Sequence, residues 1–119
     1  MNREIKFRAR KATGEWAYFG LDDLIRHAPH VPSWVYEYPG LKKDQYFALK
    51  DRNGKEIYEG DILKYHNGRV SNPLAFPKDY AWLAARIETV EQGDWTMAVE
   101  VIGNIREHPE LLKEKPAVD

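Results

Sequence analysis

Apolar and cationic side chains alternate near the amino end. Ile5, Phe7 and Ala9 interleave with Lys6, Arg8 and Arg10, a two-residue period that predicts a strand with one greasy and one charged face. Thr13-Gly14 supplies a turn, and Glu15-Trp16-Ala17-Tyr18-Phe19 returns as a second strand before Gly20, so the opening reads as a hairpin. Trp16 and Tyr18 share one parity, which allows them to point inward with Phe7. Leu21, Leu24 and Ile25 then fit one or two helical turns, stopped by Pro29 and Pro32. In Ser33-Trp34-Val35-Tyr36-Glu37-Tyr38 the three aromatics share a side if the segment is extended, and Pro39-Gly40 closes it as a turn.

The middle of the chain is punctuated by glycine. Asn53-Gly54 is a hairpin signal, because both residues tolerate positive φ. Ile57, Ile62 and Leu63 follow with a break at Gly60 that suits a bulge or sharp bend. Residues 49–65 therefore read as strand, turn, strand, bend, strand. Asn67-Gly68 is a second hairpin signal, pairing residues 62–65 with a segment that starts at Arg69-Val70. Residues 72–78 hold Pro73 and Pro77 and read as a surface loop.

Residues 80–90 fit two patterns. As a helix, Asp79 caps it, and Leu83, Arg86, Ile87 and Val90 follow helical spacing. As a strand, Leu83, Ala85, Ile87 and Thr89 alternate with their neighbours. Gln92-Gly93-Asp94 is a turn, and Trp95, Met97, Val99 and Val101 alternate strictly after it. A strand that long wants an antiparallel neighbour, so 85–90 is expected to be that strand, with a short helical turn over 80–84. Gly103-Asn104-Ile105 ends the sheet, and Pro109 opens a short helix that docks Leu111 and Leu112. The residues after 115 are expected to fray.

Composition narrows the chemistry. The chain has 119 residues, 43% hydrophobic and 31% charged, which suits one domain with a modest core. Its net charge of −1 creates no global attraction to nucleic acid or an anionic membrane. Without cysteine there is no disulfide, thiolate catalysis or cysteine-based zinc site. No apolar stretch matches a secretory signal or a membrane helix, so a cytoplasmic protein is the expectation.

Three blocks carry a resemblance. Arg3-Glu4-Ile5-Lys6-Phe7-Arg8-Ala9, then Leu49-Lys50-Asp51 through Glu59-Gly60-Asp61-Ile62, then Val101-Ile102-Gly103-Asn104-Ile105 with Pro109-Glu110-Leu111-Leu112, stand in order. Together they resemble the YopX family of phage and prophage proteins over nearly the whole chain. The family usually has a threonine-glycine pair just ahead of the middle block, where this chain has Phe47-Ala48. The loop at 73–78 and the aromatic stretch at 34–38 lie outside the blocks. The resemblance implies a mainly β fold, with an SH3-like barrel in the C-terminal part preceded by an N-terminal strand pair. It implies no reaction and transfers no catalytic residue.

Four sets of residues are candidates for function. Arg3, Lys6, Arg8, Arg10 and Lys11 beside Trp16 and Tyr18 combine cations with aromatics, as in single-strand nucleic-acid grooves, or form a solvated sheet face. Asp51, Glu56, Glu59 and Asp61 are close enough in sequence to hold a divalent metal or act as acid and base. A structural alternative is that Asp61 accepts backbone hydrogen bonds in its turn. His27 and His30, near Asp22 and Asp23, have zinc-like spacing but read more simply as loop histidines; His66 beside its turn reads as an exposed strand end. Trp34, Tyr36 and Tyr38 either offer a contact surface to a protein or another copy of the chain, or fold back to seal the barrel.

The expected architecture is one mainly β domain over 1–119. It comprises an N-terminal hairpin and aromatic loop (1–44), then an SH3-like barrel with a C-terminal helical turn (45–112). The expected role is a non-catalytic phage or prophage binding or assembly module, needing no cofactor and no membrane, whose partner is a protein or a second copy. A nucleic-acid-binding regulator is the alternative, and a metal-dependent enzyme the third reading.

Overall fold

The computed structural model describes residues 4–37 and 41–113. Strand β1 (Lys6–Arg10) pairs antiparallel with β2 (Trp16–Gly20) across a turn in which Gly14 sits at φ +103°. Phe7, Ala9, Ala17 and Phe19 form the inward face. The small alanines leave room there, and Ala28, Val31, Trp34 and Val35 close over it. Trp16 and Tyr18 do not turn inward with Phe7. The register pairs Arg8 with Tyr18 and Arg10 with Trp16, which puts the aromatics on the cationic face.

Helix α1 (Leu21–Ile25) is the predicted short turn, with Asp23 accepting the Gly20 N–H at 2.9 Å. The following aromatic stretch is not extended. Trp34–Glu37 forms a one-turn helix, α2, because Trp34 and Val35 are adjacent yet both buried, which a strand with alternating faces would prevent. Tyr38 and the Pro39-Gly40 turn lie outside the described residues, as do Arg3 and the tail beyond 113.

Strand β3 (Lys43–Lys50) joins two neighbours. Its first residues pair with β1 and its remainder with β4 (Glu56–Tyr58), giving one sheet in the order β2-β1-β3-β4. The Asn53-Gly54 hairpin forms as predicted, with Gly54 at φ +81°. Gly60, at φ +83°, turns the chain into β5 (Asp61–Tyr65). That strand pairs antiparallel with β6 (Val99–Asn104) in a separate two-stranded sheet, bulged between Ile62 and Leu63. The second glycine turn forms at Gly68, but its return leg makes one bridge, Lys64 with Val70, before leaving. Among the described residues the fold is mainly β, and the two sheets are not closed into a barrel by hydrogen bonds.

The largest departure is α3 (Tyr80–Glu91), a helix running through the residues expected to be a strand. The neighbour that β6 requires is β5, more than thirty residues earlier, so 85–90 is released from the sheet. Helical spacing then buries Leu83 completely and packs Ile87 against a core of Phe47, Ile57, Leu63, Leu74, Val99 and Val101. Asp79 stands before the helix, but its carboxylate accepts from the Ala75 N–H and the Trp82 indole rather than capping. Trp95–Met97 is a 3₁₀ turn, not the start of the strand. After Pro109, α4 (Glu110–Lys113) forms as expected. No helix among the described residues is long and apolar enough to cross a membrane.

Candidate functional site

The acids of the middle block are spoken for. Asp51 Oδ1 accepts the N–H groups of Asn53 and Lys55 at 2.8 and 2.9 Å, and Oδ2 accepts the Val101 N–H at 2.8 Å. One carboxylate thus fixes the hairpin and fastens it to β6. Glu59 accepts the Gln45 N–H at 3.0 Å and the Phe76 N–H at 3.1 Å. Asp61 Oδ2 accepts the Tyr58 N–H at 2.8 Å, bridging the Gly60 corner, as the structural alternative for this residue anticipates. Glu56 accepts from Lys6 Nζ and from the Tyr58 hydroxyl. Asp51 and Asp61 are buried, and Asp51, Glu59 and Asp61 use their carboxylates to hold backbone N–H groups.

Arg8 is the centre of this arrangement. Its guanidinium donates to Asp61 Oδ1 at 2.8 Å, to Asp44 Oδ2 at 3.3 Å and to the Glu59 carbonyl at 3.1 Å. Trp16 and Tyr58 flank it, with ring centroids 4.9 and 4.8 Å away. Arg106 holds Asp44 from the other side in a two-pronged pair at 2.8 and 3.1 Å. Burial pushes the Asp61 carboxyl above its ordinary value, with Arg8 and the Tyr58 N–H pulling back. Burial, reinforced by Glu56, drives the Tyr58 phenol far upward and keeps it protonated. Neither Asp44 nor Arg106 stands out in the sequence. The available signal is a charged residue at 44 sharing its strand face with Tyr46.

The cationic strand is therefore not a uniform surface. Arg8 is buried at 5% exposure. Lys6 pairs with Glu56 and lies over the Tyr46 ring; burial lowers its pKa, but the Glu56 interactions outweigh that and raise it. Lys11 faces Glu15 at 3.3 Å. Arg10 sits over Trp16, whose indole donates to Glu107 at 3.3 Å.

The other candidates fall into packing roles. Trp34 is buried, and Tyr36 stacks on His27 at 4.1 Å while its hydroxyl donates to the Leu24 carbonyl. The loop thus covers the β1–β2 hairpin instead of the end of a barrel. His30 lies 3.5 Å from Asp23 on the surface. No group of three or more histidine and acidic side chains among the described residues is arranged to hold a metal ion.

What the sequence reading missed is a groove of about 380 Å³ between α3 and the β3–β4 hairpin. Leu49, Ile87, Val90 and Ala98 line it, Trp95 stands at its rim with 59% of its surface exposed, and Lys50 and Arg52 border it. A smaller depression of about 170 Å³ with Arg52, Lys64, His66 and Glu100 adjoins it. One wall of the groove is the helix mistaken for a strand, so no linear pattern reveals it.

A search of curated proteins gave no match to this chain. A family model described as YopX protein, in contrast, matches residues 6–113, a span that includes Arg8, the acids of the middle block and Arg106. The chain belongs to the YopX family.

Proposed function

We propose that the protein is a non-catalytic binding or assembly module encoded by a phage or prophage. The observation that carries this reading is the fate of Asp51, Glu59 and Asp61: the family-like block spends its acids on backbone N–H groups and on Arg8. That use accounts for the block without a reaction. What remains for other molecules is surface, chiefly the Trp95 groove and the outer strands. The sheets β3–β4 and β5–β6 wrap one core, the feature that favours an SH3-like relationship for residues 45–112 within a single domain. A cytoplasmic setting is part of the proposal.

The test is a thermal melt with magnesium, manganese or zinc. The midpoint is expected to stay where it is. A rise of several degrees that disappears in Glu59→Gln would restore the metal-enzyme reading and sink this one. The nucleic-acid reading now rests on Arg10 and Lys11, because Arg8 is engaged internally. Binding to single-stranded DNA that weakens steeply with salt and is lost in Arg10→Ala with Lys11→Ala would support it instead.

A further inference from the structure

Strand β2 ends the four-stranded sheet, and nothing among the described residues pairs with its outer side. The hydrogen-bonding parity is fixed by its flanks: Leu21 N–H donates to the Ile5 carbonyl and Lys11 N–H to the Glu15 carbonyl. In an antiparallel ladder the exchanging pairs then fall at alternate positions, Phe7 with Phe19 and Ala9 with Ala17. Trp16 and Tyr18 consequently aim their backbone N–H and C=O groups away from β1. The Gly20 N–H is already given to Asp23.

Such an edge is normally defended by a lysine, a proline, a bulge or an inward charge. Trp16–Gly20 has none of these. Tyr18 is 53% exposed, and at the Gly20 end Ile5, Leu21 and Ile25 add exposed apolar surface. The side chains of the strand itself are uncharged, with Ala17 and Phe19 on the core face and Trp16 and Tyr18 beside Arg8 and Arg10 on the other.

We propose that β2 is a dimerisation edge whose partner is β2 of a second copy. A two-fold axis at Tyr18 sets the strands antiparallel. Each Tyr18 N–H then meets the other copy's Tyr18 carbonyl, and each Trp16 N–H meets the opposite Gly20 carbonyl. The Gly20 N–H, which Asp23 holds, gives no bond to the opposite Trp16 carbonyl, so each outer pair is joined by one hydrogen bond instead of two. The two sheets become continuous, and the exposed tyrosines cover one another. The inference deepens the contact-module reading by naming the partner, and it can fail alone, since a monomer would leave the Trp95 groove available to other molecules.

Light scattering on a size-exclusion column, over a concentration series, tests it. The wild-type chain is expected to form dimers. Tyr18→Pro removes the outward donor together with the ring that packs on Trp16 and Tyr58, at the one kind of position where a strand tolerates proline, and is expected to be monomeric with its hairpin intact. Tyr18→Lys, at a side chain already half exposed, guards the edge without touching the backbone and is expected to weaken dimerisation at least tenfold. Amide exchange supplies a second readout: protection at Trp16 and Tyr18 should rise with protein concentration, while Ala17 and Phe19 stay protected throughout. A chain that is monomeric at every concentration, a dimer that survives Tyr18→Lys, or protection at Trp16 and Tyr18 that ignores concentration would overturn the proposal.

Discussion

Replacing Arg8 by methionine isolates what the buried cation does. Methionine fills the slot between Trp16 and Tyr58 and supplies no charge. Asp44 keeps its two-pronged bond from Arg106, so the uncompensated groups are Asp61 and the Glu59 carbonyl. Stranding one partner of a buried pair costs about 3–5 kcal/mol, and the surviving Arg106 pair argues for the lower end. Unfolding entropy of about 2.1 cal/mol/K per residue over 119 residues makes each kcal/mol worth about 4 °C in the midpoint. Arg8→Met should therefore melt about 12 °C below the parent.

The same logic fixes a rescue and a pH signature. Asp61→Asn in the Arg8→Met background removes the stranded charge while its carbonyl can still accept the Tyr58 N–H, and should recover about 4 °C or more. Asp61 already has its folded-state pKa raised, so its contribution favours the fold at low pH and is lost as pH rises through that value. Without Arg8 the folded value climbs further. The deficit of Arg8→Met should thus widen with rising pH and narrow as the pH falls toward the ordinary carboxylate range. Circular-dichroism melts across pH give all three numbers. An Arg8→Met midpoint within about 4 °C of the parent, or no recovery in the double variant, would refute the argument.

Other perturbations probe separate parts of the fold. Asp51→Ala orphans the Val101 N–H and loosens the hairpin donors, so urea unfolding should report a loss of about 2–4 kcal/mol. Ala48 is held at φ +61° in the β3 bulge. Ala48→Gly should raise the midpoint by a few degrees, since relief of about 1–2 kcal/mol of left-handed strain exceeds the added chain entropy. At Gly103 a new Cβ would lie 2.7 Å from the His108 ring and 2.9 Å from Leu111. Gly103→Ala should then cost about 1–3 kcal/mol and speed amide exchange in α4. Burial raises the pKa of Tyr46, Tyr58 and Tyr65. Above about pH 10 the unfolded chain releases these protons first, and stability should fall by up to about 1.4 kcal/mol per pH unit for each. Their phenolate absorbance should appear only together with loss of circular dichroism.

Local punctuation was readable, and partnership was not. Gly14, Gly54, Gly60 and Gly68 each occupy positive φ at a predicted corner, because that preference belongs to the residue itself. The alternation in Lys6–Arg10 likewise survives in the sheet. The helical turn at 34–37, where alternation allowed an extended segment, and the error at 85–90 have a common origin. In both, period-two spacing was real, but the decision lay with a distant surface: the β1–β2 face that draws in Trp34 and Val35 together, and β5, which claims β6. The candidate site suffered in the same way. Arg8 looked like a surface cation because its counter-charges, Asp44 and Asp61, lie 36 and 53 positions away. One wall of the Trp95 groove is the helix that was set aside in favour of a strand.

Because Arg8, Asp44, Asp61 and Arg106 come from four distant stretches, no continuous fragment that omits one end can form every pair of the network. Proteolytic halves divided after β3 would each keep one cation and one anion, Arg8 with Asp44 and Asp61 with Arg106, but would lose the Arg8–Asp61 and Arg106–Asp44 pairs, and complementation in trans would have to re-form both together. Inheritance faces the same constraint: exchange of one end of this chain with a relative succeeds only when the incoming piece brings the matching sign.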